Sequence, residues 1–229
     1  MRILGITTSS KTCSVAIIED EKVIGEKIIS DTKTHSEILI PLISQLLSET
    51  NINLSSFDYL ACDIGPGSFT GIRIGISTIK AFSEITSIPI CAVSSLEGLA
   101  AQIDSSVGTI VSLIDARNNQ AYCGIFDTTY STIESYIADS IDNIITILKN
   151  VNTQITFVGD ASILHHDLLY DNFPEANFSN KSIITASNIA KISKIKIANN
   201  DLYSADTLLP LYLRKSQAER MKEIQNGTN

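Results

Sequence analysis

The sequence predicts an α/β protein made of two duplicated lobes, each a mixed sheet flanked by helices, and three observations carry that expectation. The first is a repeat. RILGITTSS and TCSVAIIED form a hairpin pattern near the start, and GTIVSLID, the polar ARNNQ and AYCGIFD repeat its plan in the second half. Setting Thr7 against Asp115 places Val15 against Cys123 without a gap, which points to an internal duplication. The second is the alternation of strand and helix between residues 59 and 103, which calls for parallel strands joined by crossovers. The third is composition: 229 residues, 44% hydrophobic and 18% charged, suit a globular chain of one large or two smaller domains.

Each element follows from local pattern. RILGITTSS, TCSVAIIED and KVIGEKIIS are β-rich runs with short polar breaks, a meander. From Thr34 to Glu49 the spacing turns helical, with Leu39, Leu42, Ile43, Leu46 and Leu47 on one stripe. Thr34 and Glu37 have capping-box spacing, and Pro41 inside the pattern predicts a kink or a delayed regular part. DYLACDIG (strand), GPGSFTGIRIG opening a helix to about Glu84, IPICAV (strand) and SSLEGLAAQI (helix, with Ser94 and Glu97 again in capping-box spacing) complete a first lobe over residues 1–104. The second lobe, residues 105–203, continues after its hairpin with helices near 141–149, 161–170 and 187–198 and the strand QITFVGD. Residues 204–229 are expected to pack back on the first lobe and end in a frayed tail.

A formal charge of −8 and a pI near 4.8 argue against wide, autonomous binding to nucleic acid. Arg214, Lys215, Arg220 and Lys222 cluster near the end and read as a solvated helical tail, with a local basic contact as the alternative. No apolar run approaches the roughly 18 residues that cross a bilayer, and MRILGITTSSK turns polar too soon for a signal peptide. Cys13, Cys62, Cys91 and Cys123 stand apart in apolar settings, the pattern of reduced core thiols in a cytoplasmic protein.

GPGSFTGIRIG, residues 65–75, gathers four of the chain's 11 glycines. It is neither standard phosphate loop. A Walker A loop needs four residues between its glycines and then a lysine; here five separate Gly65 from Gly71, and Ile72 stands where lysine should. In G-x-G-x-x-G two residues precede the third glycine, but three lie between Gly67 and Gly71. Gly65, Pro66 and Gly67 suit a strand-to-helix turn, with Ser68 as N-cap. Gly71 and Gly75 lie inside the helix, where each costs about 0.5–1 kcal/mol relative to alanine. With Thr78, and flanked by Ile72, Ile76 and Ile79, they make a smooth strip that a second helix can approach closely. That helix is either the chain's own Thr34–Glu49 segment or another protein.

The familiar catalytic patterns are missing. There is no HExxH and no G-x-S-x-G; His165 and His166 are adjacent and would point apart on a helix. His35 stands near a helix start, in a surface or capping role. Asp63, Asp115 and Asp160 follow or end strands, where ligand-facing residues of α/β sheets often lie, yet none has an evident base or metal partner. No catalytic residue and no metal ligand is assigned.

MRILGITTSS, HSEILIPLI, GPGSFTGIRIG, VSSLEGLA, IDARNNQAY and LPLYLR occur in the order seen in the TsaB (YeaZ-like) family, which the chain resembles from residue 1 to about 218. The resemblance implies the actin-like ATPase-domain (Hsp70/sugar-kinase) fold and a non-catalytic paralogue of the threonylcarbamoyl transferase TsaD. It implies a dimerisation and activating subunit that pairs with TsaD and the small ATPase TsaE, meets tRNA through the complex, and homodimerises when the paralogue is absent. Databases file such proteins as glycoprotease or M22-like. The paralogue's two metal histidines lie in a segment like V-N-H-L-E-G-H-L; Ser95 and Leu99 take their places here and cannot ligate zinc or iron as imidazoles do. The family's first strand usually ends in D-T-S, whereas Thr7-Thr8-Ser9 stands here, so a hydroxyl replaces the carboxylate near the magnesium-phosphate. The expected partner interface comprises Leu39, Leu42, Leu46, Gly71, Ile72, Gly75, Ile76 and Ile79. No cofactor of its own is expected beyond weak or interface-bound adenine nucleotide near Thr8, Ser9 and Gly67. The competing functions are an autonomous ATP-dependent transferase or kinase and, with no ligand set to support it, a metallopeptidase.

Overall fold

The computed structural model describes residues 1–30, 34–104 and 108–214. The first hairpin strands, β1 (Arg2–Thr7) and β2 (Thr12–Glu19), continue into β3 (Lys22–Ser30), and the meander expected from the sequence forms. Then come α1 (His35–Thr50), β4 (Tyr59–Asp63), α2 (Phe69–Thr86), β5 (Ile90–Val93) and α3 (Ser95–Ala100). Strand order is β3-β2-β1-β4-β5, antiparallel within the meander and parallel from β1 through β5. The second half repeats this with β6 (Thr109–Asp115), β7 (Gln120–Phe126), β8 (Ile137–Ser140), α4 (Ile141–Leu148) and β9 (Ile155–Val158), followed by α5 (Asp160–Leu164), α6 (His166–Asn172) and β10 (Asn177–Phe178). Its order, β8-β7-β6-β9-β10, matches the first sheet strand for strand. The duplication is therefore real, with one adjustment. Thr7 pairs with Ser14 but Asp115 with Ala121, so the second turn is one residue shorter and the gapless match fails across it. Strands β8 and β10, four and two residues long, are too short to leave a periodic signal.

Alternation along the strands sorts the core into layers. Leu4 and Ile6 of β1 face α1 and α2, while Ile3 faces the opposite side with α3 and α7 (Ala186–Ala198). Val111 and Leu113 of β6 pack under α4 and α5. All four cysteines are free and buried; burial pushes Cys13 up to about 11 and Cys91 to about 12, as inert core thiols require. Helix α1 runs unbroken through Pro41. Its capping box does not form: the Thr34 side chain accepts nothing from the helix backbone and instead receives the Ser36 hydroxyl at 3.2 Å. The Ser94–Glu97 box does form, with Glu97 accepting the Ser94 N–H at 2.7 Å.

Helix α7, read with the second half from the sequence, packs on the first sheet. Gly5 lets it come close, since a Cβ there would sit 2.5 Å from the Ala186 carbonyl oxygen. Its Ncap residue, Thr185, gives no side-chain cap. Instead the Ala186 N–H donates to Ser14 Oγ at 3.0 Å and the Ser187 N–H to Glu26 Oε1 at 2.8 Å. A carboxylate thus meets the positive end of the helix. Below its middle, Lys196 pairs with buried Glu97 at 3.1 Å and with Asp201 at 3.4 Å. Burial alone would lower the lysine, but Glu97 and Asp201 hold it well above its ordinary range. Among the described residues no helix is long and apolar enough to cross a membrane. Glu26→Ala should lower stability by about 1–2 kcal/mol through the lost helix cap, measured as a reduced urea midpoint at unchanged slope.

Candidate functional site

The ends of β1 and β4 meet the start of α2, and the side chains at this junction close on one carboxylate. Asp63, the last residue of β4, is 1% exposed. Its Oδ2 accepts the hydroxyls of Thr7 at 2.6 Å and Ser9 at 2.5 Å. Its Oδ1 accepts the Ser95 hydroxyl at 2.6 Å and the Gly65 N–H at 2.9 Å. Burial, the larger effect, raises the carboxyl above its ordinary range, and the Ser9, Ser95, Thr7 and Gly65 donors draw it part of the way back. Ser95 is thus tied to a carboxylate, and Leu99 is fully buried against Gly159. Among the described residues, no group of three or more His, Cys, Asp or Glu side chains is placed to hold a metal.

The glycine motif packs on this junction. Ser68 caps α2, accepting the Gly71 N–H at 3.2 Å, and its own N–H donates to the Ser9 carbonyl at 2.7 Å. A Cβ on Gly71 would lie 1.9 Å from the Thr8 carbonyl oxygen, and one on Gly75 2.6 Å from Thr8 Oγ1. What needs the smooth strip is therefore Thr8, backbone and side chain, just after β1, with the His35 ring touching the edge of Gly71, rather than the length of a second helix. Thr8 in turn donates its hydroxyl to the Gly71 carbonyl at 2.7 Å, and a Cβ on Gly67 would meet the Ser9 carbonyl at 2.2 Å. The Thr8 and Ser9 hydroxyls, where only a weak nucleotide contact was allowed for, are buried and engaged within the chain.

The expected interface residues are buried within the chain. Leu39, Leu42, Leu46, Ile72, Ile76 and Ile79 are each at most 5% exposed and form the first lobe's own core, and Gly71 and Gly75 are buried too. The helical stripe marks the face turned to the sheet, since burying each such aliphatic side chain is worth about 1.5–3 kcal/mol. The opposite faces of α1 and α2 reach solvent, with Ile40 half exposed and Pro41, Arg73 and Ser77 open. Between the helices lies a groove of about 430 Å³ lined by Ser36, Thr70, Arg73, Ile74, Ser77 and Thr78.

The segment after α7 crosses the same junction. The Tyr203 N–H bonds the Ile90 carbonyl, Leu208 is buried in the first core, and the Leu211 N–H bonds the Ile64 carbonyl at 2.9 Å. Tyr212 stacks on Phe69 with ring centres 4.7 Å apart, and Arg214 donates to the Ala116 carbonyl at 3.1 Å in the second lobe. The remaining residues of the basic cluster lie outside the described residues. In the second lobe the Asp115 N–H donates to Asp160, and Arg117, Asn118 and Asn119 of the turn all take positive φ. Burial raises the Asp160 carboxyl. His35 bonds the Ser10 carbonyl at 2.7 Å, and His166 packs on Tyr170 and Phe178; neither shares a cluster with the aspartates.

Two five-stranded sheets of matching strand order, one in each lobe, give this chain the actin-like, sugar-kinase fold. A ROK hexokinase from Thermus thermophilus shares the fold at a TM-score of 0.53 with 7% identity, over 87% of this chain and all of that one. YeaZ from Pseudomonas aeruginosa superposes with a TM-score of 0.79 at 22% identity, over 93% of this chain and 99% of that one. The family model described as "TsaD: tRNA N6-adenosine threonylcarbamoyltransferase" matches residues 22–222. The chain is 31% identical to "tRNA threonylcarbamoyladenosine biosynthesis protein TsaB" of Bacillus subtilis over 96% of each chain. It is 26% identical to the protein of that name in Haemophilus influenzae, over 93% of this chain and 94% of the relative. The chain belongs to the TsaB (YeaZ-like) family.

The junction makes a pH-dependent contribution to stability. Because the folded Asp63 holds its proton to higher pH than the unfolded residue, its contribution falls as pH rises from about 4 through the raised value. Asp63→Asn should flatten that descent and, by putting an NH2 where one oxygen accepts two of the four hydrogen bonds, cost about 1–3 kcal/mol at low pH; urea titrations across pH 4–7 read both.

Proposed function

We propose that this chain is the non-catalytic activating and dimerisation subunit of the tRNA threonylcarbamoyladenosine machinery, paired with a catalytic TsaD-type paralogue and a TsaE-type ATPase. Family membership supports the pathway. The single observation behind the non-catalytic role is the Asp63 junction. At the strand end where an actin-like transferase needs a free carboxylate, Thr7 closes on Asp63, and Ser95, at a paralogue histidine position, does the same. A carboxylate with four donors on it has little left to offer magnesium. In this reading the subunit works in the cytoplasm, has no cofactor of its own, meets tRNA only through the complex and pairs with itself when the paralogue is absent.

The surface for pairing is the solvent side of α1 and α2, since the inner side is core. Ile40, Pro41 and Ile74 offer apolar contact among small hydroxyl residues, the kind of surface on which another helix can seat. Ile40→Glu should then abolish co-purification with the paralogue and leave the melting temperature within a few degrees, because a half-exposed position tolerates charge. Gly71→Glu or Gly75→Glu should instead unfold the subunit.

The deciding experiment is reconstitution of tRNA threonylcarbamoylation with and without this chain, at fixed transferase, ATPase and activated adenylate. Omission should cut the rate at least tenfold, and an unchanged rate overturns the proposal. Magnesium-dependent ATP turnover by the pure chain, lost on changing Thr8 or Asp115, would favour an autonomous enzyme instead.

A further inference from the structure

Among the described residues Arg73 is the only charged side chain lining the groove between α1 and α2; the others are four hydroxyl residues and Ile74. It is held from one side. Its Nε–H donates to the Tyr212 hydroxyl at 2.8 Å, and its guanidinium carbon lies 5.7 Å from the centre of the Tyr212 ring. Tyr212 is itself fixed, stacked on Phe69 and carried by the segment that Leu208 and Leu211 anchor to the first lobe. Among the described residues no ion pair includes Arg73.

We propose that Arg73, oriented by Tyr212, receives a carboxylate from a helix of the paralogous subunit. The inference rests on the pairing surface proposed above and names the chemistry its partner must bring. Two physical arguments lead there. A guanidinium fork held at Nε is pre-organised for bidentate bonding to a carboxylate, and less side-chain entropy is lost when the bond forms. A helix laid over the groove would also strip water from Arg73, and a buried charge without a counter-charge costs far more than a paired one. The partner that covers this groove must therefore supply an anion, and from a helix that is an aspartate or glutamate. Tyr212 acts as a positioning residue, which makes the segment after α7 part of the assembly surface although it lies 139 residues from Arg73 in sequence.

The test is titration calorimetry of the full chain with the purified TsaD-type paralogue at low and high salt. Arg73→Ala should weaken binding about 10- to 100-fold and flatten its salt dependence. Arg73→Glu should weaken it further, and Arg73→Lys should recover only part. Tyr212→Phe keeps the stack and removes the hydroxyl; it should weaken binding about 3- to 10-fold with an unchanged melting temperature and a smaller loss in the Arg73→Ala background. Ile40→Glu serves as the marker of the surface. If it abolishes binding while Arg73→Ala changes nothing, the carboxylate inference falls and the pairing surface stands. If both variants bind normally, the surface is wrong and the inference falls with it. A loss confined to self-association of this chain, with the paralogue bound as before, also overturns the proposal.

Discussion

A single buried carboxylate ties the first lobe together. Asp63 collects donors from the end of β1, the turn after it, the turn between β4 and α2, and the first residue of α3. A carboxylate out of water is costly unless its lone pairs are filled. Each of its donors therefore holds its segment in place, and the cost of leaving any one unmade is higher than in water. Around that point the packing is tight enough that Gly67, Gly71 and Gly75 have no room for a Cβ. The motif that invites a phosphate-binding reading is geometry demanded by this junction.

The second constraint is the attachment of α7 to the first sheet. The two sheets repeat each other, but their outer layers do not, because α7 is drawn from the second half of the chain to cover the first lobe. Ser14 and Glu26 cap it, Gly5 admits it, and the Glu97–Lys196 pair holds its last turn. The segment that follows continues across the junction to Tyr212 and Arg214. The first lobe thus depends on residues distant in sequence, and the solvent face of α2 is shaped by them.

Much was legible where the signal is local. The duplicated hairpins, the α1 stripe, the Ser68 cap and the Ser94–Glu97 box follow from spacing and short-range hydrogen bonding. Other features are not legible where the partner is remote. The apolar stripes of α1 and α2 fit either a partner subunit or the chain's own core, because an amphipathic pattern states only that a face is buried; the chain's own sheet buries it. Gly71 and Gly75 announced a close approach without naming Thr8, which lies 63 residues from Gly71. Thr34 and Glu37 had capping-box spacing, yet the start of α1 is set by the His35 contact to Ser10.

The sequence by itself determined the α/β class, the duplication and the family, because these depend on residue identity and short-range periodicity. Tertiary structure alone decided that Asp63 gathers the hydroxyls of Thr7, Ser9 and Ser95, that the glycines face Thr8 and Ser9, and that Tyr212 orients Arg73. Those outcomes turn on which distant segments close on one another, and such contacts are selected by the packing of the whole core.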